Sequence, residues 1–304
     1  MKPYISDTRT IARFLETCGQ YVGVVMVLPS LQLALNLTGQ SKDPLVITWE
    51  SIGHHTLGVF AKSLSQTDFK SPAYLNLCYC QLFNAYIFND TSRQYTTLEE
   101  IYSLPLQRVS VKSHFVNTFY QFLDGLVAVT LLKNHKKAGR RIKKILKESL
   151  AGIHQKVERK HINCVAMLTF LEAEVESLVK KTTKNDSTIA QYRLAISQFA
   201  RTGCTHWNAM ANERLADFLR VTVKDAEESK YYYSQAIQMY KEWNAVEKVK
   251  RLGHERNIHS QFSTHHGSAL RGKERFLEEQ GVNNQSRRTD IAELQASLQD
   301  TAFD

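Results

Sequence analysis

Proline and cysteine are both scarce in this chain, with five of each in 304 residues. The cysteines (Cys18, Cys78, Cys80, Cys164, Cys204) are odd in number and scattered, which excludes a disulfide scaffold and points to a reducing compartment. Cys78 and Cys80 have no second thiol or imidazole pair at zinc spacing, and on a helix their side chains diverge, so they read as buried structural thiols. No apolar run is long enough for a membrane span. The most apolar stretch, Val22 to Leu37, is broken by Pro29, Gln32 and Asn36, and a span needs about 20 residues with few polar breaks. The first twenty residues carry charges where a secretory signal has its apolar core. These absences predict a cytoplasmic protein.

Catalytic signatures are missing as well: there is no kinase loop, nucleophile elbow or HExxH. Gly267 to Glu274 has the Gly-x4-Gly-Lys spacing of a phosphate-binding loop. Glu274, however, puts a carboxylate where that loop needs a hydroxyl for magnesium, and the residues before it are polar rather than a strand. His54 and His55 are adjacent and point different ways on a helix, which argues against joint metal binding. Cys204 and His206 lie two apart and do not face each other on a helix, so a repeat-turn position beside Gly203 accounts for them. Glu172 and Glu174 read as the solvated flank of an amphipathic helix. No catalytic, metal or cofactor site is expected.

What the chain does contain is helical periodicity, in line with 43% hydrophobic residues. Residues 8–18 predict a short helix burying Ile11, Phe14, Leu15 and Cys18. Pro29 is expected in the first turn of the next helix, which runs through Leu37 and is closed by Gly39 and Asp43-Pro44. Residues 45–70 are mixed, and Pro72 to Asn89 is a strongly apolar aromatic helix. Residues 90–108 read as a loop holding one short helix, Leu98 to Tyr102. Long helices follow at His114 to Leu132, at 136–158, and at 163–180 with Val165, Leu168, Leu171, Val175 and Leu178 inward.

One pattern then appears twice. Tyr192-x-x-Ala195-Ile196-x-x-Phe199 returns 41 residues later as Tyr233-x-x-Ala236-Ile237-x-x-Tyr240, followed by Gly203 in one copy and Asn244 in the other. Each set lies on one helix face. Small residues let a neighbouring helix approach and aromatics fill the gaps, so these six are read as repeat-packing residues. A motif recurring at this period predicts stacked antiparallel helical hairpins. The fold class expected is all-α, tetratricopeptide-like hairpins stacked as a solenoid over residues 1–252, beginning mid-solenoid as a fragment would. Residues 253–304 are expected to be a flexible polar linker with a short terminal helix at Ile291, Leu294 and Leu298.

Charge is uneven along the chain. Eleven Lys and Arg lie between Lys133 and Lys160 against Glu148 and Glu158, an excess of nine that equals the formal net charge of the whole chain. Ala138, Ile142, Ile145, Leu146, Ile153 and Val157 recur at helical spacing, so one face packs while the other is basic. Lys136, Lys137, Arg140, Arg141, Lys143, Lys144 and Lys147 form the candidate patch for an anionic partner. An acidic protein, a membrane surface or nucleic acid would suit it, and a merely solvated outer face is the plainer account. No aromatics are interleaved, which counts against single-stranded nucleic acid.

Four stretches carry a family resemblance: Leu28 to Leu35 running on to Asp43-Pro44-Leu45; Leu77-Cys78-Tyr79 with Leu82-Phe83-Asn84; Leu168 to Glu174; and Ala209 to Ala216 with Tyr233, Tyr240, Trp243 and Lys248-Val249. Together they resemble the tetratricopeptide-like helical region of large multi-domain signalling proteins. In those, an AAA-type ATPase precedes the helices and a sensor histidine kinase follows, sometimes with a fused serine/threonine kinase. The resemblance covers roughly residues 20–252 and consists of packing motifs. It implies a non-catalytic scaffold that links or regulates flanking ATPase, sensor or kinase domains through protein–protein contacts. The alternative is a basic helical protein binding nucleic acid or another polyanion through residues 133–160.

Overall fold

The computed structural model describes residues 1–47, 72–104, 116–134, 139–178 and 185–256. His54 and His55, Lys136 and Lys137, Gly267 to Glu274 and the expected helix at Ile291 to Leu298 all lie outside the described residues. Residues 1–252 form one compact unit and 253–304 another.

The described secondary structure is entirely helical, with eleven α-helices: α1 (Lys2–Thr17), α2 (Tyr21–Leu37), α3 (Pro72–Ile87), α4 (Thr91–Ser103), α5 (Val116–Asn134), α6 (Arg140–Glu158), α7 (Ile162–Glu176), α8 (Asn185–Arg201), α9 (Thr205–Phe218), α10 (Ala226–Glu242) and α11 (Val246–Arg256). From α1 to α10 each helix packs on the next, and α5 also reaches α3 and α7. No helix among the described residues is long and apolar enough to cross a membrane.

Five helix pairs are joined by the same three-residue turn. The middle residue of each has positive φ: Gly19, Asn89, Lys160, Gly203 and Asn244, all between 57° and 68°. Around each, two amides reach back into the last helical turn. Gly203 N–H donates to Ala200 O and Cys204 N–H to Phe199 O, while Asn244 and Ala245 repeat this with Lys241 and Tyr240. This double bond satisfies carbonyls that a helix end leaves unpaired and turns the chain sharply. Glycine and asparagine fit the left-handed position at four of the five turns. Asp90 and Asp225 then cap the next helix by accepting from Arg93 N–H and Glu228 N–H.

The helices enclose a continuous aromatic core. Phe83 packs edge-on against Trp207 at 5.7 Å, Trp207 against Phe122 at 4.8 Å, and Phe122 against Phe170 at 6.1 Å. Phe170 then meets Tyr192 and Phe199 at 6.1 and 6.0 Å. Tyr192, Ala195, Phe199, Tyr233, Ala236 and Tyr240 are all buried. At Gly125 of α5, side chains of α6 and α7 press against the backbone: an added Cβ would lie 2.8 Å from Leu171 Cδ2 and 3.1 Å from Ser149 Cβ.

Several expectations are corrected here. The first helix begins at Lys2 and buries Ile5, Thr8 and Ala12, leaving Ile11 and Phe14 at 50% and 66% exposure. The inward stripe is thus rotated, because α2 presents Val24, Leu28 and Leu31 to Ile5 and Ala12. Pro29 sits inside α2 rather than in a first turn; with no N–H it removes one i→i−4 helical hydrogen bond. Residues 91–103 are a full helix, α4, started by the Asp90 cap where a loop was expected. Val165 is exposed although it was placed inward.

Candidate functional site

The outward face of α6 is built by simple phase. Ile142, Ile145, Leu146, Ser149 and Ile153 are buried against the neighbouring helices. Arg140, Lys144 and Lys147, at i, i+4 and i+7, therefore project on the opposite side and are exposed. Lys143 flanks them, half-buried. Among the described residues, the ion pair on this face is Lys144 with Glu148, with a carboxylate oxygen 3.9 Å from Lys144 Nζ. Both side chains are more than half exposed, so the pair is screened and neutralises little.

The other cations of this region do different work. Arg141 turns aside to pair with Glu99 of α4 at 2.6 Å, so it belongs to a helix–helix contact and not to the outward face. Lys133 reaches Glu174 of α7 at 2.8 Å. Lys156 donates to Gln121 Oε1 of α5, and burial lowers its pKa. Arg159 and Lys160 are exposed at the α6–α7 turn. The described cations of this region do not form one surface: among the described residues the outward patch comprises Arg140, Lys143, Lys144 and Lys147.

Beneath the surface lies a charge network that the sequence reading missed. Glu174 was expected on a solvated flank and is 1% exposed. Its carboxylate accepts from Lys133 Nζ and, at 2.9 Å, from the Tyr192 hydroxyl. Burial alone would raise its pKa, but Lys133 and Arg214 outweigh that and hold the carboxyl below its usual range. Glu213 of α9 is the second centre. It accepts from Lys248 Nζ at 2.7 Å, the Tyr240 hydroxyl at 2.7 Å and Asn89 Nδ2 at 3.4 Å. Its carboxyl is likewise held low against burial, by Lys248 and Arg214. Arg214 lies over the Tyr86 ring at 4.8 Å and donates to the Tyr86 hydroxyl and Asn89 Oδ1, both at 3.3 Å. Lys248 also donates to the Ile87 carbonyl at 2.6 Å. The network thereby ties the α3–α4 turn to α9, α10 and α11, across up to 161 residues of sequence.

Two further titratable groups lie inside the helical unit, Asp124 buried and His206 half-buried. Asp124 of α5 accepts from the Tyr79 and Tyr102 hydroxyls through the same oxygen, Oδ2, at 3.1 and 2.9 Å. Its other oxygen has no hydrogen-bond partner among the described residues. Burial pushes the carboxyl up to about 7, against the pull of the two hydroxyls. His206 packs between Trp207 and Trp243, with centroids at 5.0 and 5.4 Å, and burial lowers its pKa to about 4. Cys204, expected in a repeat turn, is the cap residue of α9, with its thiol 3.9 Å from Thr202 O. Among the described residues no group of three or more His, Cys, Asp or Glu could hold a metal ion.

No known family, no curated protein and no solved structure matches the chain.

Proposed function

We propose that the chain is a non-catalytic helical-repeat interaction module that takes an acidic protein partner on the outward face of α6. The observation that carries this reading is the alignment of Arg140, Lys144 and Lys147 opposite the buried stripe, with Lys143 beside them and, among the described residues, Glu148 as the carboxylate paired with them. A single-sign patch raises the local concentration of an oppositely charged partner and speeds its association. The buried carboxylates, by contrast, are occupied in holding helices together, which supports a scaffold role. The repeated three-residue turns support tetratricopeptide-like hairpins. Linking an ATPase to sensor or kinase domains in the cytoplasm rests on the four packing motifs alone, and the tail at 253–304 is then the connector onward.

Charge reversal at Arg140, Lys144 and Lys147 to Glu tests the patch. The variant should elute from heparin at markedly lower salt while keeping the wild-type far-UV circular dichroism. Unchanged retention would sink the proposal.

Nucleic acid is the second reading, favoured by the purely basic character of this face. With no aromatic among these four cations, duplex phosphates rather than stacked bases would be the target. Each phosphate contact contributes about 0.9 to the slope of log affinity on log salt. Duplex binding whose slope falls by about 3 in the triple variant would favour this reading over an acidic protein.

A further inference from the structure

A second basic feature, on a different part of the molecule, comes from α1. Lys2, Arg9 and Arg13 are exposed along one side of this helix and border an open groove of about 600 Å³. The groove is floored by the buried Ile5 and edged by Ser6, Thr10 and, from the turn after α2, Gln40. None of the three cations forms an ion pair within 4.0 Å with a described carboxylate. Of the acidic residues on α1, Asp7 lies on the side of the exposed Tyr4 and Ile11, while the half-buried Glu16 follows Arg13 by one turn on the cationic side but does not line the groove. The groove therefore holds three positive charges without an ion-pair partner among the described residues, with hydrogen-bonding side chains between them.

We infer that this groove docks an extended acidic segment of a partner protein. Spacing selects that occupant. At about 1.5 Å of rise per residue, Arg9 and Arg13 are about 6 Å apart along the axis, and Lys2 lies about 10.5 Å beyond Arg9. Same-side residues of an extended chain repeat every 6.6 Å or so. Two carboxylates at alternate positions therefore meet Arg13 and Arg9, and a third, three or four residues further on, comes within reach of the flexible Lys2. A compact phosphate compound needs converging cations, whereas these are strung along about 16 Å. Ser6, Thr10 and Gln40 lie where the main chain of such a segment would run and can pair with its amides and carbonyls. This surface is independent of α6.

The test is fluorescence anisotropy on the full chain with a labelled octapeptide of alternating Asp and Ser. Saturable binding is expected, at least tenfold weaker in Arg9→Glu/Arg13→Glu, intermediate in Arg9→Gln/Arg13→Gln, and within twofold of wild type when Arg140, Lys144 and Lys147 are reversed. Both arginines are exposed, so the variants should keep the wild-type circular dichroism. The inference is overturned if the wild type shows no saturable binding up to millimolar peptide or if Arg9→Glu/Arg13→Glu binds equally well. It is also overturned if α6 reversal removes binding, or if inorganic tripolyphosphate displaces the peptide at equal concentration.

Discussion

Asp124 shows what one buried carboxyl does to the stability of its surroundings. Two tyrosine hydroxyls crowd one oxygen and the other is bare, so the ionised form is poorly compensated in a dry site. Its folded-state pKa of about 7 lies above the unfolded value of about 3.9, so the folded chain holds this proton more tightly. The stability it contributes is fully present below about pH 4 and is lost as pH rises through 7. His206, lowered to about 4 from about 6.5, works the other way: its contribution is present above pH 6.5 and is lost as pH falls toward 4. The two windows overlap, so the difference between proteins is the useful quantity. Wild type minus Asp124→Asn, followed by urea unfolding from pH 4 to 8, should decline by a few kcal/mol as pH rises. A flat difference would show that Asp124 is not the titrating group.

At the scale of the helix, burial and charge are coupled through pairs. Lys248 and Glu213 are 3% and 4% exposed and lie 2.7 Å apart. Removing one partner leaves the other charge buried, which costs about 3–5 kcal/mol, while replacing both by apolar or neutral groups costs much less. Lys248→Ala should therefore destabilise by that amount, and Glu213→Gln/Lys248→Met by clearly less than Lys248→Ala. Equal losses would mean that the pair is not coupled as the geometry indicates. Gly125→Ala tests how α6 is seated: its methyl meets Leu171 and Ser149 at 2.8 and 3.1 Å, so the buried Leu171 and its surroundings must shift, at about 1–3 kcal/mol. A neutral result by chemical denaturation would place slack where the helices look tight.

The same scale shows what the sequence could convey. Aromatic–small–aromatic spacing marked the faces of α8 and α10, because packing partners recur at the helical period. Asp90 as a cap was also present, yet the polar run at 91–103 hid α4, whose buried Gln94, Leu98 and Ile101 are too sparse to stand out. The inward side of α1 was misread because two stripes compete there, and α2 chose Ile5 and Ala12 over Ile11 and Phe14. Glu174 and Glu213 were unreadable as buried charges, since their partners Lys133, Lys248, Tyr192 and Tyr240 come from other helices. Periodicity tells which face is inward, and only tertiary contact tells that a carboxylate can afford to be there. Asp124 had one signal, its place within the apolar run from Phe122 to Val129.

Over the described residues, the helices are bound together by edge-on aromatic contacts and by a network spanning the α3–α4 turn to α11, and the proposed partner site lies on an outer face. On that account Arg140, Lys144 and Lys147 act as a placed patch rather than as part of a general positive charge. The most direct measurement compares heparin elution of two triple variants with the same change in net charge. One reverses Arg140, Lys144 and Lys147 to Glu, and the other reverses the exposed Lys224, Lys230 and Lys241 around α10. The account predicts that the α6 variant elutes at markedly lower salt than the α10 variant, which stays near wild type. Equal shifts for both would contradict it, because retention would then follow net charge and not the face of α6.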